Sequence, residues 1–127
     1  MTFITREEIL MGRDVEYPLT PELETNLAML LNKLNQFRDL YGIPMLVSSG
    51  YRPGHYNTDA GGAKGSAHAV CEACDFHDQD GALDFFCANR LDVLEQCCLY
   101  LEMPSKTIGW THLTIRAPKS GSRIFLP

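Results

Sequence analysis

The sequence predicts an α+β fold: a small, mostly antiparallel sheet with helices packed on one side. Three observations carry that expectation. Leu23, Leu27, Leu30, Leu31, Leu34, Phe37 and Tyr41 recur at helical spacing. Short β-type runs bounded by turn residues occur at 45–49, 73–77 and 109–117. The resulting order of helix, strand, loop, strand, helix and hairpin belongs to an α+β domain.

Residues 1–19 read as a polar, loop-like lead-in with a short helix between Thr5 and Met11. Thr20, Pro21 and Glu22 then supply an N-cap, a first-turn proline and a dipole-favoured acid, and Gly42 stops the long helix. A strand at Met45–Ser49 ends in the turn "GYRP". The stretch "GHYNTDAGGAKGSA" at 54–67 is a long polar loop of the kind that serves a site. Ala73–His77 is the second strand, and Asp80 in "DQDG" is placed to cap a helix over Ala82–Leu101, whose apolar stripe is Leu83, Cys87, Leu91, Leu94, Cys98 and Leu101. "GWTHLTIRA" is the third strand, with "SGSRIFLP" its hairpin partner.

At 127 residues the chain is expected to form one domain, 1–127, able to bury a core without disulfides. A net charge of −5 with scattered lysines and arginines gives a nucleic-acid surface little to build on. No segment approaches membrane-spanning length, and the N-terminus lacks the pattern of an export signal. The expectation is a protein made in a cytoplasm, acting as a monomer without membrane or nucleic-acid partners. Five cysteines, an odd number, read as thiols in that setting.

The chemistry concentrates in "GSAHAVCEACDFHD", residues 65–78. Cys71 and Cys74 form a C-x-x-C pair, but a closed structural zinc site needs a second matching pair, and Cys87 and Cys98 lie on a buried helical stripe. Small buried hydrophobes is the better account of the cysteines. No cysteine lies at an expected helix N-terminus, where a thiol pKa would fall. Strand alternation points elsewhere. In "WTHLTIR" it puts Trp110, His112, Thr114 and Arg116 on one face and Leu113 and Ile115 on the core face. In "ACDFH" it groups Ala73, Asp75 and His77, with Cys74 and Phe76 in the core. Asp75 and His112 can share one face, and His68 joins them only if a turn intervenes before the strand. Two imidazoles and a carboxylate suit zinc and leave a position for water.

The segments "SGYRP", "GGA", "SAHAVCEACD" and "WTHL" resemble, in order, the zinc D-Ala-D-Ala metallopeptidases, whose signature is S-x-H-x-x-G-x-A-x-D followed later by W-x-H. The resemblance runs from about Ser48 to the C-terminus and implies a Hedgehog/DD-peptidase-like fold. It implies Zn2+ held by His68, Asp75 and His112, with Ser66 as a hydrogen-bonding neighbour and Arg52 as the cation facing the scissile carbonyl or a substrate carboxylate. It also implies peptidoglycan stem peptides as substrate, cut by a carboxypeptidase or endopeptidase of the phage, endolysin-like type that reaches the wall by lysis or from a virion. Tyr51 and Trp110 are expected to line the substrate groove.

Two positions depart from the pattern. Cys71 replaces the signature glycine, so bulk or an unusual backbone angle must be absorbed there. Many members also carry an acid three residues before the last histidine, where this chain has Gly109. Glu102, which ends the expected helix just before the Trp110 strand, is the candidate base; a solvated helix end is the competing account, and Glu72 is expected to face away from Asp75. A second reading is a non-catalytic zinc-binding virion or wall-binding module that kept the ligands and lost the base. A third is a thiol protein built on Cys71 and Cys74.

Overall fold

The computed structural model describes residues 3–127. Helices α1 (Arg6–Leu10) and α2 (Pro21–Tyr41) precede strand β1 (Val47–Ser49), helix α3 (Gly54–Asp59), a 3₁₀ turn (Ala67–Val70) and strand β2 (Ala73–Asp78). Helices α4 (Ala82–Asn89) and α5 (Leu91–Cys97), strand β3 (Tyr100–Glu102), a second 3₁₀ turn (Pro104–Lys106), and strands β4 (Gly109–Thr114) and β5 (Ile124–Phe125) complete the chain. The strands form one sheet in the order β1-β2-β4-β3-β5, antiparallel at every step except β3–β5. This is the expected α+β architecture.

Helix α2 begins and ends where its caps predict. The Thr20 hydroxyl accepts from the Leu23 N–H at 3.2 Å, and Gly42 closes the helix with φ +79°. Leu27, Leu30, Leu34 and Phe37 are fully buried, each contributing about 1.5–3 kcal/mol of transfer free energy. Residues before Thr20 are more than a lead-in. Helix α1 is opened by a reciprocal capping box between Thr5 and Glu8. It buries Ile9 and Leu10 in the same core, and Asn35 of α2 bonds both the N–H and the C=O of Ile4.

Three expectations need correction. The single helix over 82–101 is two helices and a strand: the chain breaks at Arg90 (φ −133°, ψ 59°), and Cys98 in the left-handed region ends α5. The apolar residues fit both periods. Leu99 and Leu101, two apart, are buried in the strand segment, whereas Leu91 and Cys98, assigned to the helical stripe, are exposed. Because β3 takes the free edge of β4, the "SGSRIFLP" tail cannot pair there. It crosses to β3 instead and runs parallel to it, with Leu101 opposite Ile124. The 54–67 loop also contains a helix, α3.

The cap of α4 comes mainly from Asp78 rather than Asp80. Asp80 accepts from the Ala82 N–H at 3.1 Å. The buried Asp78 carboxylate accepts from the N–H groups of Leu83 (2.8 Å) and Asp84 (2.9 Å) and from the Thr111 hydroxyl (2.9 Å). A carboxylate on the core face of β2 must be hydrogen-bonded to be tolerated, and here its bonds tie α4 to β4.

Candidate metal centre

The register of the two central strands pairs Cys74 with Leu113 and Asp75 with His112. The first pair points into the core and the second to the opposite face, so a carboxylate and an imidazole meet by ladder geometry alone. His68 arrives from the 3₁₀ turn that Ser66 caps, its hydroxyl accepting from the His68 N–H at 3.2 Å. Cys71 ends that turn at φ +60°, which reverses the chain into β2. This is the turn the sequence requires to bring His68 over the sheet. The left-handed angle accounts for glycine at this point in the signature, and Cys71 adopts it despite its Cβ.

The three donor atoms converge. His112 Nδ1 lies 2.8 Å from Asp75 Oδ1, His68 Nε2 lies 3.2 Å from the same oxygen, and the two nitrogens are 3.3 Å apart. Donor atoms around a tetrahedral zinc with bonds of about 2.0–2.1 Å are separated by about 3.3–3.4 Å, so this triangle is close to the required size. The proton inventory agrees. His68 Nδ1 is 2.9 Å from the Gly50 carbonyl, which can only accept, so Nδ1 carries the proton and Nε2 turns a lone pair toward the carboxylate and the second imidazole. Lone pairs crowded together without enough protons form a site complementary to a cation. Burial by itself would raise the Asp75 carboxyl, but the two imidazoles packed beside it hold it at about 2. It is therefore ionised and ready to ligate.

These groups floor a cleft of about 560 Å³ that Arg52, Ser66, Glu102 and Trp110 also line. Arg52 Nη1 lies 3.7 Å from Asp75 Oδ2, and burial lowers its pKa against the pull of that carboxylate. Trp110 stands edge-on to His112 with ring centroids 6.5 Å apart. Glu102 sits on a strand, not a helix end. Tyr100 pairs with Thr114 and Leu101 with Leu113, and one more step puts Glu102 across from His112. Burial raises its pKa, partly offset by the His112 charge. Gly109 has φ +88°, an angle unfavourable to an acid side chain there. Glu72 forms a 2.8 Å ion pair with Arg116 and is not among the cleft-lining residues.

Tyr51 does not line the cleft. It is 2% exposed, packs in the core, and donates its hydroxyl proton to the Tyr17 carbonyl. A residue flanking a turn carries no parity signal, and the motif "GYRP" alone did not separate the two orientations. The cysteines do not form a site either. Burial pushes the Cys71 thiol up to about 12 and the Cys74 thiol well above its usual range. Sequence reasoning missed the Gly50 carbonyl, which no side-chain pattern reveals, and Phe125, whose ring stands edge-on to His112 at 6.0 Å.

The family model for peptidase M15 matches residues 4–99. The chain belongs to the M15 peptidases. No curated protein and no solved structure matches it. The match covers His68 and Asp75 of this M15 peptidase but stops before Glu102, Trp110 and His112, so His112 joins the site on geometry. Among the described residues, His68, Asp75 and His112 are the only cluster of three or more histidine, cysteine or acidic side chains whose donor atoms could share an ion.

Proposed function

We propose that this M15 peptidase is a zinc-dependent hydrolase of amide bonds in peptidoglycan stem peptides. The observation that carries the reading is the buried His68–Asp75–His112 triangle, with three donor atoms at zinc-compatible spacing on the floor of an open cleft. Family membership supplies the reaction class; the stem-peptide substrate rests on the motif resemblance.

Zinc held by that set would supply Lewis acidity toward a carbonyl and would lower the pKa of a water. The protein's own groups provide the rest. Glu102, with a pKa raised by burial, takes the proton from the attacking water and returns it to the leaving amine. Arg52 faces the same volume and stabilises negative charge developing on the carbonyl oxygen. Asp75 keeps Arg52 aimed across the cleft, the Gly50 carbonyl fixes the His68 tautomer, and Trp110 forms a wall for the substrate.

The test is digestion of purified peptidoglycan by the zinc-loaded protein, followed by mass spectrometry of the soluble products. Metal analysis should give one zinc per chain, and stripping it with a chelator should stop peptide release until zinc is restored. Stoichiometric zinc without any turnover would favour the non-catalytic module instead.

A further inference from the structure

The segment that carries His68 bends at both ends. Gly65 enters it at φ +77° and Cys71 leaves it at φ +60°, so the imidazole rides on a short loop between two left-handed residues. Loops are the more mobile parts of a fold, whereas a metal donor must be held to within about 0.5 Å of its productive position. His68 itself is met from the segment after β1, by the Gly50 carbonyl at its ring and the Arg52 N–H at its carbonyl. Asn26 ties the Val70 carbonyl to helix α2 at 3.0 Å. Neither tie refers the loop to strand β4, where His112 sits.

Arg116 makes that connection. One guanidinium nitrogen donates to the Gly65 carbonyl at 2.8 Å, and the other two fork onto Glu72 Oε1 at 2.9 and 2.8 Å. The entry and the exit of the loop are therefore held by a single side chain. Arg116 follows β4 directly, four residues after His112, and its backbone is pinned there. The Thr114 hydroxyl donates to the Glu72 carbonyl at 2.8 Å and accepts from the Arg116 N–H at 3.0 Å, and the Ile115 N–H donates to the same carbonyl at 3.0 Å. Neither Arg116 nor Glu72 lines the 560 Å³ cleft. Their side chains are 43% and 25% exposed, and a pair so open to water adds little to global stability. What the clamp fixes is geometry.

Resting on the zinc reading above, we propose that Arg116 is a positioning residue for the metal centre. By holding both ends of the 65–72 loop to β4 it sets the separation of the His68 and His112 imidazoles, and with it how tightly and how long the site retains an ion. Glu72 serves as the anchor of that clamp. A lysine at 116 would bring the charge as a single point, without the planar fork that reaches carboxylate and carbonyl together.

The experiment measures zinc affinity by competitive titration and zinc release into excess chromogenic chelator, using the full chain. Arg116→Ala should weaken zinc by about 10- to 100-fold, the cost of losing an outer-shell partner, chiefly through faster release. Arg116→Lys should recover part of that loss. Adding Glu72→Gln to Arg116→Ala should cost less than about twofold more, because both changes open one clamp. In metal-free protein, amide exchange read by mass spectrometry should quicken across 65–72 and stay unchanged in β2 and β4. Affinity and release within about twofold of the parent in Arg116→Ala overturn the proposal. So does full additivity with Glu72→Gln, or exchange that quickens throughout the sheet, which would mean a general loss of stability. Failure of the zinc reading is seen separately, as no zinc bound by the parent. Metal-free exchange then decides: quickening confined to 65–72 in Arg116→Ala supports the clamp on His68, and unchanged exchange refutes it.

Discussion

Removing one ligand from the triangle should uncouple zinc from folding. On the zinc reading proposed above, the ion recognises a geometry that the unfolded chain lacks, so added ion should stabilise the native state by RT ln(1 + [L]/Kd), about 2.7 kcal/mol at a hundredfold excess over Kd. For a chain of 127 residues, 1 kcal/mol corresponds to roughly 3–5 °C in Tm, so the expected rise is about 8–14 °C. The donor separations of 2.8, 3.2 and 3.3 Å need only small changes to fit the ion, so little of this is spent on rearrangement. His68→Ala deletes one donor and leaves the cross-strand pair of Asp75 and His112 intact. Losing even an outer-shell partner costs 10- to 100-fold in affinity, so losing a ligand should leave under about 1 kcal/mol of zinc stabilisation at the same concentration. Thermal unfolding by circular dichroism, with and without zinc after chelator treatment, gives both shifts. An equal zinc-induced rise in parent and His68→Ala would mean that the ion binds elsewhere, and no rise in the parent would remove the metal site altogether.

Glu102→Gln should reduce kcat on wall peptides by about 10²–10⁴ with zinc content unchanged. Because burial raises the Glu102 pKa, the acid limb of the parent's kcat/KM profile should fall above the ordinary carboxylate range: activity is lost as pH drops through that raised pKa and the base becomes protonated. A limb at an ordinary carboxylate value, or one that persists in the variant, would assign the base elsewhere. Gly50→Ala should destabilise the fold by about 1–3 kcal/mol and weaken zinc binding, since a Cβ there would lie 2.2 Å from the Ile9 carbonyl oxygen and the displaced backbone carries the oxygen that orients His68; denaturant melts and a competitive zinc titration read both effects. Asp78→Ala should cost about 3–5 kcal/mol in urea unfolding, because three buried groups lose a charged acceptor, against about 0.5–1 kcal/mol for Asp80→Ala, which removes one exposed bond. Equal losses would mean that Asp80 caps the helix as strongly as Asp78.

Alternation made the centre of the sheet readable. Cys74, Phe76 and Leu113 face the core and Asp75 and His112 the cleft, because only one register buries the apolar set. The caps of α2 were equally plain, since Thr20, Pro21 and Gly42 each act within one turn of chain. Segment 82–102 was not legible: its apolar residues satisfy periods of 3.6 and 2 alike, and the break at Arg90 carries neither proline nor glycine. Misassigning it hid β3 and, with β3, the true partner of the C-terminal strand. It also put Glu102 on the wrong kind of element, although the chain returns that residue to the cleft. Tyr51 and the Gly50 carbonyl depend on how α1 docks, through the backbone of Ile9, a long-range contact that local pattern does not encode.

The three donors are not mounted alike. Two sit on neighbouring central strands, locked by the ladder that builds the domain, while the third rides on a single 3₁₀ turn ending at the left-handed Cys71. A metal ion held by this set would be taken up or surrendered by moving one short segment, with the other two donors waiting in place. Exchange kinetics should accordingly respond to substitutions around 66–71 far more than to changes in the sheet.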